Sequence, residues 1–170
     1  SNKIWHRKQR VLHNRNIYYV TCSEWLGRQA RQSAPLRGQE VVTIPNPIDT
    51  RMFCPKSQKE ARQRAGLIMD KQLILFVSQR VTDKRKGIDF LIEAVGKLIE
   101  ARPELKDHLG VAILGGHSEA ITDNLPLPVY SLGYISDEKR LVDIYNSANV
   151  FVLPSLEDNL PNTIMESMAC

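Results

Sequence analysis

Four short apolar runs separated by stretches of helical periodicity constrain this chain more than any other feature. The runs lie at residues 73–78, 111–114, 129–132 and 150–153. Three are dominated by Val, Ile, Leu and Phe; the fourth, 129–132, is a short strand before Gly133 that also holds Tyr130 and Ser131. Such runs read as strands buried on both faces. Between the first two, Ile88, Leu91, Ile92, Val95, Leu98 and Ile99 recur at steps of three and four, so one helix face is apolar. Pro103 ends that helix. Between the last two, residues 137–148 place Leu141, Ile144, Tyr145 and Ala148 inward. Strands alternating with amphipathic helices predict an α/β fold, a doubly wound parallel sheet.

The N-terminal part is less regular. Residues 1–16 read as a weakly amphipathic helix and residues 17–21 as a short strand. Ser23 is placed to cap the helix that follows. Residues 41–44 form another short strand, closed by Pro45-Asn46-Pro47, and residues 56–70 are polar and helical. Residues 1–40 hold eight Lys/Arg against two acids, whereas the whole chain carries a net charge of only +4. The basic excess therefore belongs to this segment. It suits either a solvated helix face or contact with an anionic membrane. A nucleic-acid binder through residues 1–40 is a third reading, but no recognisable aromatic-interleaved binding motif supports it, so nucleic acid is not an expected partner.

Apolar residues at 42% and charged ones at 25% describe an ordinary globular chain rather than a disordered one. No apolar run is long enough to span a membrane. The basic N-terminus lacks the apolar stretch of a signal peptide. Three scattered cysteines, Cys22, Cys54 and Cys170, show neither metal spacing nor a disulfide framework, which suits a reducing cytoplasm. No metal ligands are expected.

The chemistry concentrates where these strands end, because ligands of open α/β sheets bind at the carboxyl ends of the strands. After residue 153 the chain reads PSLEDNLPNTIMESMAC. Pro161 suits a first helical position, and Ile164, Met165 and Met168 give the helix an apolar side. Asp158 lies in the turn and Glu166 eight residues later. The backbone N–H groups of Asn159, Leu160 and Asn162 crowd the helix entrance, which favours phosphate. Acids beside an anion site suit a phosphorylated ligand that also carries hydroxyls. The same residues also suit a surface helix with acids at its positive end. Arg80 follows the first strand, and Lys86 opens the next helix beside Gly87. Gly116 and Gly133 close the next two strands at the same edge, with Tyr134 and Ile135 following. A solvated charge run at Lys84-Arg85-Lys86 is the plainer alternative.

Taken together, these motifs resemble the retaining glycosyltransferases of family GT4, which have the GT-B fold. Those enzymes carry two acids eight residues apart after a Pro-Ser; here they are Asp158 and Glu166. The family's Arg and Lys clamp on a donor diphosphate corresponds to Arg80 and Lys86. The phrase IPNPIDTRMF, residues 44–53, resembles the family's crossing between domains, and Gly133-Tyr134-Ile135 its loop that reads the nucleobase. There are departures. Asp158 stands where Glu is usual, Asn159-Leu160-Pro161 where Gly-Phe-Gly is common, and Gln79 where a Gly precedes the Arg.

The resemblance implies a Rossmann-like, truncated C-terminal half of a GT-B fold. Residues 1–44 would end the acceptor domain and residues 45–170 form the donor-binding domain. The chain would be incomplete at both ends and inactive alone. The implied activity is sugar transfer with retention from a nucleotide-diphospho-sugar, UDP foremost, to a glycan or lipid-linked acceptor in cell-surface polysaccharide synthesis. It implies a cytoplasmic location at the inner face of the membrane and no required metal. By resemblance, Glu166 accepts from the ribose hydroxyls and Asp158 contacts the transferred sugar. A non-catalytic module of glycosyltransferase-like fold, binding a nucleotide or a partner, is the rival.

Overall fold

A computed structural model of the chain describes residues 2–13, 15 and 17–170. It divides into two compact units, one reaching Pro47 and including Asn159–Pro161, the other made of Ile48–Asp158 and Asn162–Cys170.

In the first unit, helix α1 (Asn2–His13) is followed by strand β1 (Tyr19–Thr21), helix α2 (Glu24–Gln32) and strand β2 (Val41–Thr43). The helix expected over residues 1–16 is thus Asn2–His13; Ser1, Asn14 and Asn16 lie outside the described residues. Ser23 caps α2, its hydroxyl oxygen accepting from the Leu26 N–H at 3.1 Å. β1 and β2 pair in parallel, Tyr19 with Val41 and Thr21 with Thr43. Arg31 Nη1 donates to the Val41 carbonyl at 2.9 Å and ties the helix to the second strand.

The second unit holds helix α3 (Gln58–Ala65), strand β3 (Gln72–Arg80), helix α4 (Ile88–Ala101), strands β4 (Leu109–Gly116) and β5 (Val129–Gly133), helix α5 (Glu138–Ser147), strand β6 (Val150–Val152) and helix α6 (Asn162–Ala169). The four strands form one parallel sheet in the order β5-β4-β3-β6. Strand alternation splits the core. Leu73, Leu75 and Val77 face one apolar cluster with Ala112, Leu114, Val142 and Tyr145. Phe76 faces the other with Val111, Ile113, Ile88, Leu91 and Val95. Helices therefore cover both faces, and the sheet is doubly wound as expected.

The differences from expectation have local causes. α3 is shorter than the stretch 56–70, because the chain leaves the helix at Gly66 and turns Leu67 into the core. β3 and β4 run past their apolar cores to Arg80 and Gly116, since backbone pairing continues where side chains turn polar. Residues Pro103–Asp107 and Ser118–Asn124 form 3-10 turns that periodicity did not mark.

Arg62 holds the edge of this unit together. It is 5% exposed. Its guanidinium donates to the carbonyls of Ser147, Met69 and Lys71 at 2.9, 3.2 and 2.8 Å, and to Asn149 Oδ1 at 2.8 Å. Asn149 Oδ1 also accepts from the Leu73 N–H at 2.8 Å, which joins α3, the start of β3 and the turn before β6. Burial lowers the Arg62 pKa, and hydrogen-bonding oxygens rather than a carboxylate satisfy the charge. Replacing Arg62 with Met leaves those oxygens without their donors. It is expected to cost about 2–4 kcal/mol of stability, measurable as a lower urea midpoint.

Candidate functional site

The strand order creates a topological switch point. β4 lies on one side of β3 and β6 on the other. The chain leaves β3 toward α4 on one face and leaves β6 toward α6, whose Ala169 packs on the opposite face. Loops that diverge in this way open a crevice at the carboxyl ends of the strands, where such sheets bind ligands.

Two backbones meet at that crevice. Gly87, at φ 74°, lies so close to Pro154 that a Cβ there would sit 1.9 Å from the Pro154 carbonyl oxygen. The Leu156 N–H donates to the Arg85 carbonyl at 2.8 Å. The close approach that Gly87 permits is thus to the loop after β6. On β4, Gly115 plays a similar part. A Cβ there would lie 1.8 Å from the Ser78 carbonyl oxygen, so only glycine lets β3 and β4 run together to their ends.

The basic loop is a short 3-10 turn, Lys84–Lys86, capped by Asp83, whose side chain accepts from the Arg85 N–H at 3.1 Å. Arg85 Nη2 lies 2.7 Å from Asp83 Oδ2, and this hydrogen bond holds the Asp83 carboxyl below its usual range. Lys86 Nζ lies 2.8 Å from Asp158 Oδ2, with the two side chains 27% and 23% exposed. The run is therefore not simply solvated. Arg80 ends β3 opposite Gly116 in register, is exposed, and donates from Nε to Thr82 Oγ1 at 3.3 Å.

Glu166 is held elsewhere on the same unit. Tyr145 donates its hydroxyl to Glu166 Oε2 at 2.7 Å. Burial first, and then this carboxylate, push the Tyr145 pKa upward, so the phenol stays a donor. The Cys170 thiol is pushed up to about 11, chiefly by burial, and so stays protonated at neutral pH. Gly133 ends β5 at φ 64°, Tyr134 is 68% exposed, and Ile135 packs on the α5 side of the core. Asn162 opens α6 one residue after Pro161, the residue expected to open it. Asn159 and Leu160 belong to the first unit. There Asn159 Nδ2 donates to Cys22 Sγ at 2.7 Å, and its Oδ1 accepts from the Ser23 hydroxyl.

The structure thus brings together Lys86 with Asp158 and Arg80 with Gly116. Three further residues of this unit take on features that the sequence did not show. Tyr145 read only as an inward helix residue, although a phenol among aliphatic neighbours needs a partner for its hydroxyl. Ser155 Oγ is buried beside Pro154 with no hydrogen-bond partner among the described residues. His117, after Gly116, is the only non-glycine with positive φ among the described residues, at 63°. Among the described residues, no group of three or more His, Cys, Asp or Glu is placed to hold a metal ion.

A family model, Glycosyl transferases group 1, matches residues 71–170, the segment from β3 to α6 that carries Arg80, Lys86, Asp158 and Glu166. The chain belongs to this family. The D-inositol 3-phosphate glycosyltransferase of Nocardiopsis dassonvillei is 32% identical over 154 residues, covering 84% of the chain and 35% of that relative. The enzyme of the same name from Thermobifida fusca is 32% identical over 141 residues, covering 76% and 32%. The chain thus spans about a third of the length of the curated relatives it matches. Sucrose-phosphate synthase from Thermosynechococcus elongatus superposes with a TM-score of 0.79 at 22% identity, over 100% of this chain and 42% of that one. Anabaena HepE in complex with UDP and glucose does so with 0.69 at 17%, over 100% and 47%. The fold matches part of the GT-B fold of glycosyltransferases.

For this group 1 glycosyl transferase domain, Gly87→Ala combines a left-handed backbone with a backbone overlap at Pro154. The expected loss is at least about 1–3 kcal/mol. A lowered melting temperature should accompany displaced amide signals at both Lys86 and Asp158 in NMR spectra, because the two loops part together.

Proposed function

We propose that the chain is the donor-binding part of a retaining glycosyltransferase that uses a nucleotide-diphospho-sugar, UDP-linked by preference. The observation that carries this reading is the Lys86–Asp158 pair at the switch point, beside the exposed Arg80. In transfer, the bond from the anomeric carbon to the diphosphate breaks and one to the acceptor oxygen forms. The departing diphosphate keeps the electron pair of the broken bond and takes up the acceptor hydroxyl's proton, so negative charge builds on it in the transition state. Fixed cations are what that charge needs. Among the described residues the Arg80 guanidinium faces solvent and donates to the neutral Thr82 hydroxyl, and Lys86 exchanges Asp158 for the diphosphate. Asp158, once released, accepts from hydroxyls of the transferred sugar, while Glu166 accepts from the ribose.

UDP and glucose in the Anabaena structure support a uridine nucleotide. UDP-2-fluoro glucose in the Escherichia coli trehalose-6-phosphate structure, 20% identical with a TM-score of 0.59, supports it as well. Retention of configuration is what the resemblance to the GT4 family implies, with Asp158 and Glu166 as its pair of acids eight residues apart. Side-chain cations take the place of a divalent metal in this reading. The acceptor is a glycan or lipid-linked sugar of cell-surface polysaccharide synthesis, at the cytoplasmic face of a membrane. No described helix is long and apolar enough to cross one. α1 carries Lys3, Arg7, Lys8 and Arg10 with Ile4, Trp5 and Val11 exposed, which supports peripheral contact with anionic lipid.

Two substitutions in the full-length enzyme test the assignment. Glu166→Gln should weaken UDP binding by roughly tenfold, since hydrogen bonds to a charged group contribute about 1.5–3 kcal/mol. Asp158→Asn should not weaken UDP, because it frees Lys86 from a pair worth about 0–1 kcal/mol. Affinity should hold or rise by up to roughly fivefold while kcat/KM for the sugar donor falls. Calorimetry beside donor kinetics reads both. Wild-type UDP affinity in Glu166→Gln, or full donor turnover in Asp158→Asn, would remove the corresponding acid from the site.

A further inference from the structure

Tyr145 is 6% exposed, and its ring is clasped on two sides. Phe53 lies 6.4 Å away between centroids at 60°, and Phe151 6.1 Å away at 65°. Both geometries are edge-to-face, which holds a ring in one place and orientation. The three rings come from the loop before α3, from α5 and from β6. The hydroxyl emerges from this apolar clasp and donates to Glu166 Oε2 at 2.7 Å. Glu166 enters none of the ion pairs formed among the described residues.

We infer that Tyr145 is a positioning residue whose hydroxyl, anchored by Phe53 and Phe151, aims the Glu166 carboxylate at the vicinal ribose hydroxyls of the bound nucleotide. The inference rests on the reading of Glu166 given above. A glutamate carboxylate rotates freely about its last torsion, and a ligand must otherwise freeze it. One bond from a rigid phenol sets the plane of the carboxylate in advance. It occupies one acceptor direction of Oε2 and leaves Oε1 whole for a cis-diol. Burial and the facing carboxylate both keep the phenol protonated, so the donor persists through the physiological range. Tyr145 itself touches no ligand in this arrangement.

The test uses the full-length protein, calorimetry with UDP and 2′-deoxy-UDP, and melting curves as the check of folding. Glu166→Gln establishes whether the acid binds the nucleotide. If it leaves both affinities unchanged, the reading of Glu166 fails and this inference falls with it. If Glu166→Gln weakens UDP, Tyr145→Phe decides the matter. The expected result is a roughly fivefold weaker UDP affinity and a smaller preference for UDP over the deoxy analogue. The double variant should be no weaker than Glu166→Gln alone. A packing role would not change ribose discrimination. Wild-type discrimination in folded Tyr145→Phe, or losses that multiply in the double variant, would overturn the inference while leaving Glu166 in place. Should Tyr145→Phe fail to fold, Phe53→Leu keeps the hydroxyl and loosens its ring. It carries the same expectation, and unchanged discrimination there would overturn the inference equally.

Discussion

The approach of Gly87 to Pro154 is the constraint on which the rest of the site depends. A side chain at Gly87 would overlap the Pro154 carbonyl. Without one, the loop after β3 and the loop after β6 lie backbone against backbone, joined by the Leu156 to Arg85 hydrogen bond. β6 pairs with β3 over only three residues, Ile74 to Phe76, so the sheet alone gives this edge a short ladder. The glycine contact extends that attachment past the end of the strand. It sets Lys86 across from Asp158 although they lie 72 residues apart in the chain.

The charges at this edge are arranged in grades. Arg85 is committed to Asp83 within its own turn and stabilises the loop. Lys86 is paired with Asp158 at partial exposure, where solvent screening leaves an ion pair weak and exchangeable. The Arg80 guanidinium donates to a hydroxyl and enters no ion pair among the described residues. The end of β3 and the turn after it thus present three cations in different states of pairing: Arg85 bound within its own turn, Lys86 bound across to Asp158, and Arg80 on a hydroxyl. The distinction comes from which acid each can reach rather than from side-chain type. Glu166 stands apart, oriented by a buried phenol rather than by a cation, so its acceptor capacity is not spent on a salt bridge.

Beneath this edge the unit is held by unlike means on its different sides. The two sheet faces are apolar and close-packed. The amino end of the sheet is joined by Arg62, a buried cation satisfied by three carbonyls and an amide oxygen. Rigid attachment there, at the opposite end of the strands from the crevice, leaves the carboxyl ends free to carry polar chemistry.

Most of the elements, and the edge at which the chemistry gathers, are legible in the residues alone. Hydrophobic periodicity marked α4, α5 and the cores of the sheet strands of the second unit. The alternation of strand and helix implied a parallel, doubly wound sheet, and parallel strands carry all their carboxyl ends to one side. Arg80, Lys86 and Asp158 therefore share one edge on sequence grounds alone. Strand ends were not legible, because the β3–β4 pairing shifts register after Val77 and Leu114 and resumes at Arg80 and Gly116, where the side chains signal a loop. Only the tertiary structure decided the order β5-β4-β3-β6, and with it the switch point between β3 and β6. Strands that are apolar on both faces suit any neighbour equally, so hydrophobic pattern cannot rank the orders; packing of α4 on one face and α3, α5 and α6 on the other does. The partners of Glu166 and Lys86 followed from that order, since the contacts of a polar group depend on which elements the packed core sets side by side.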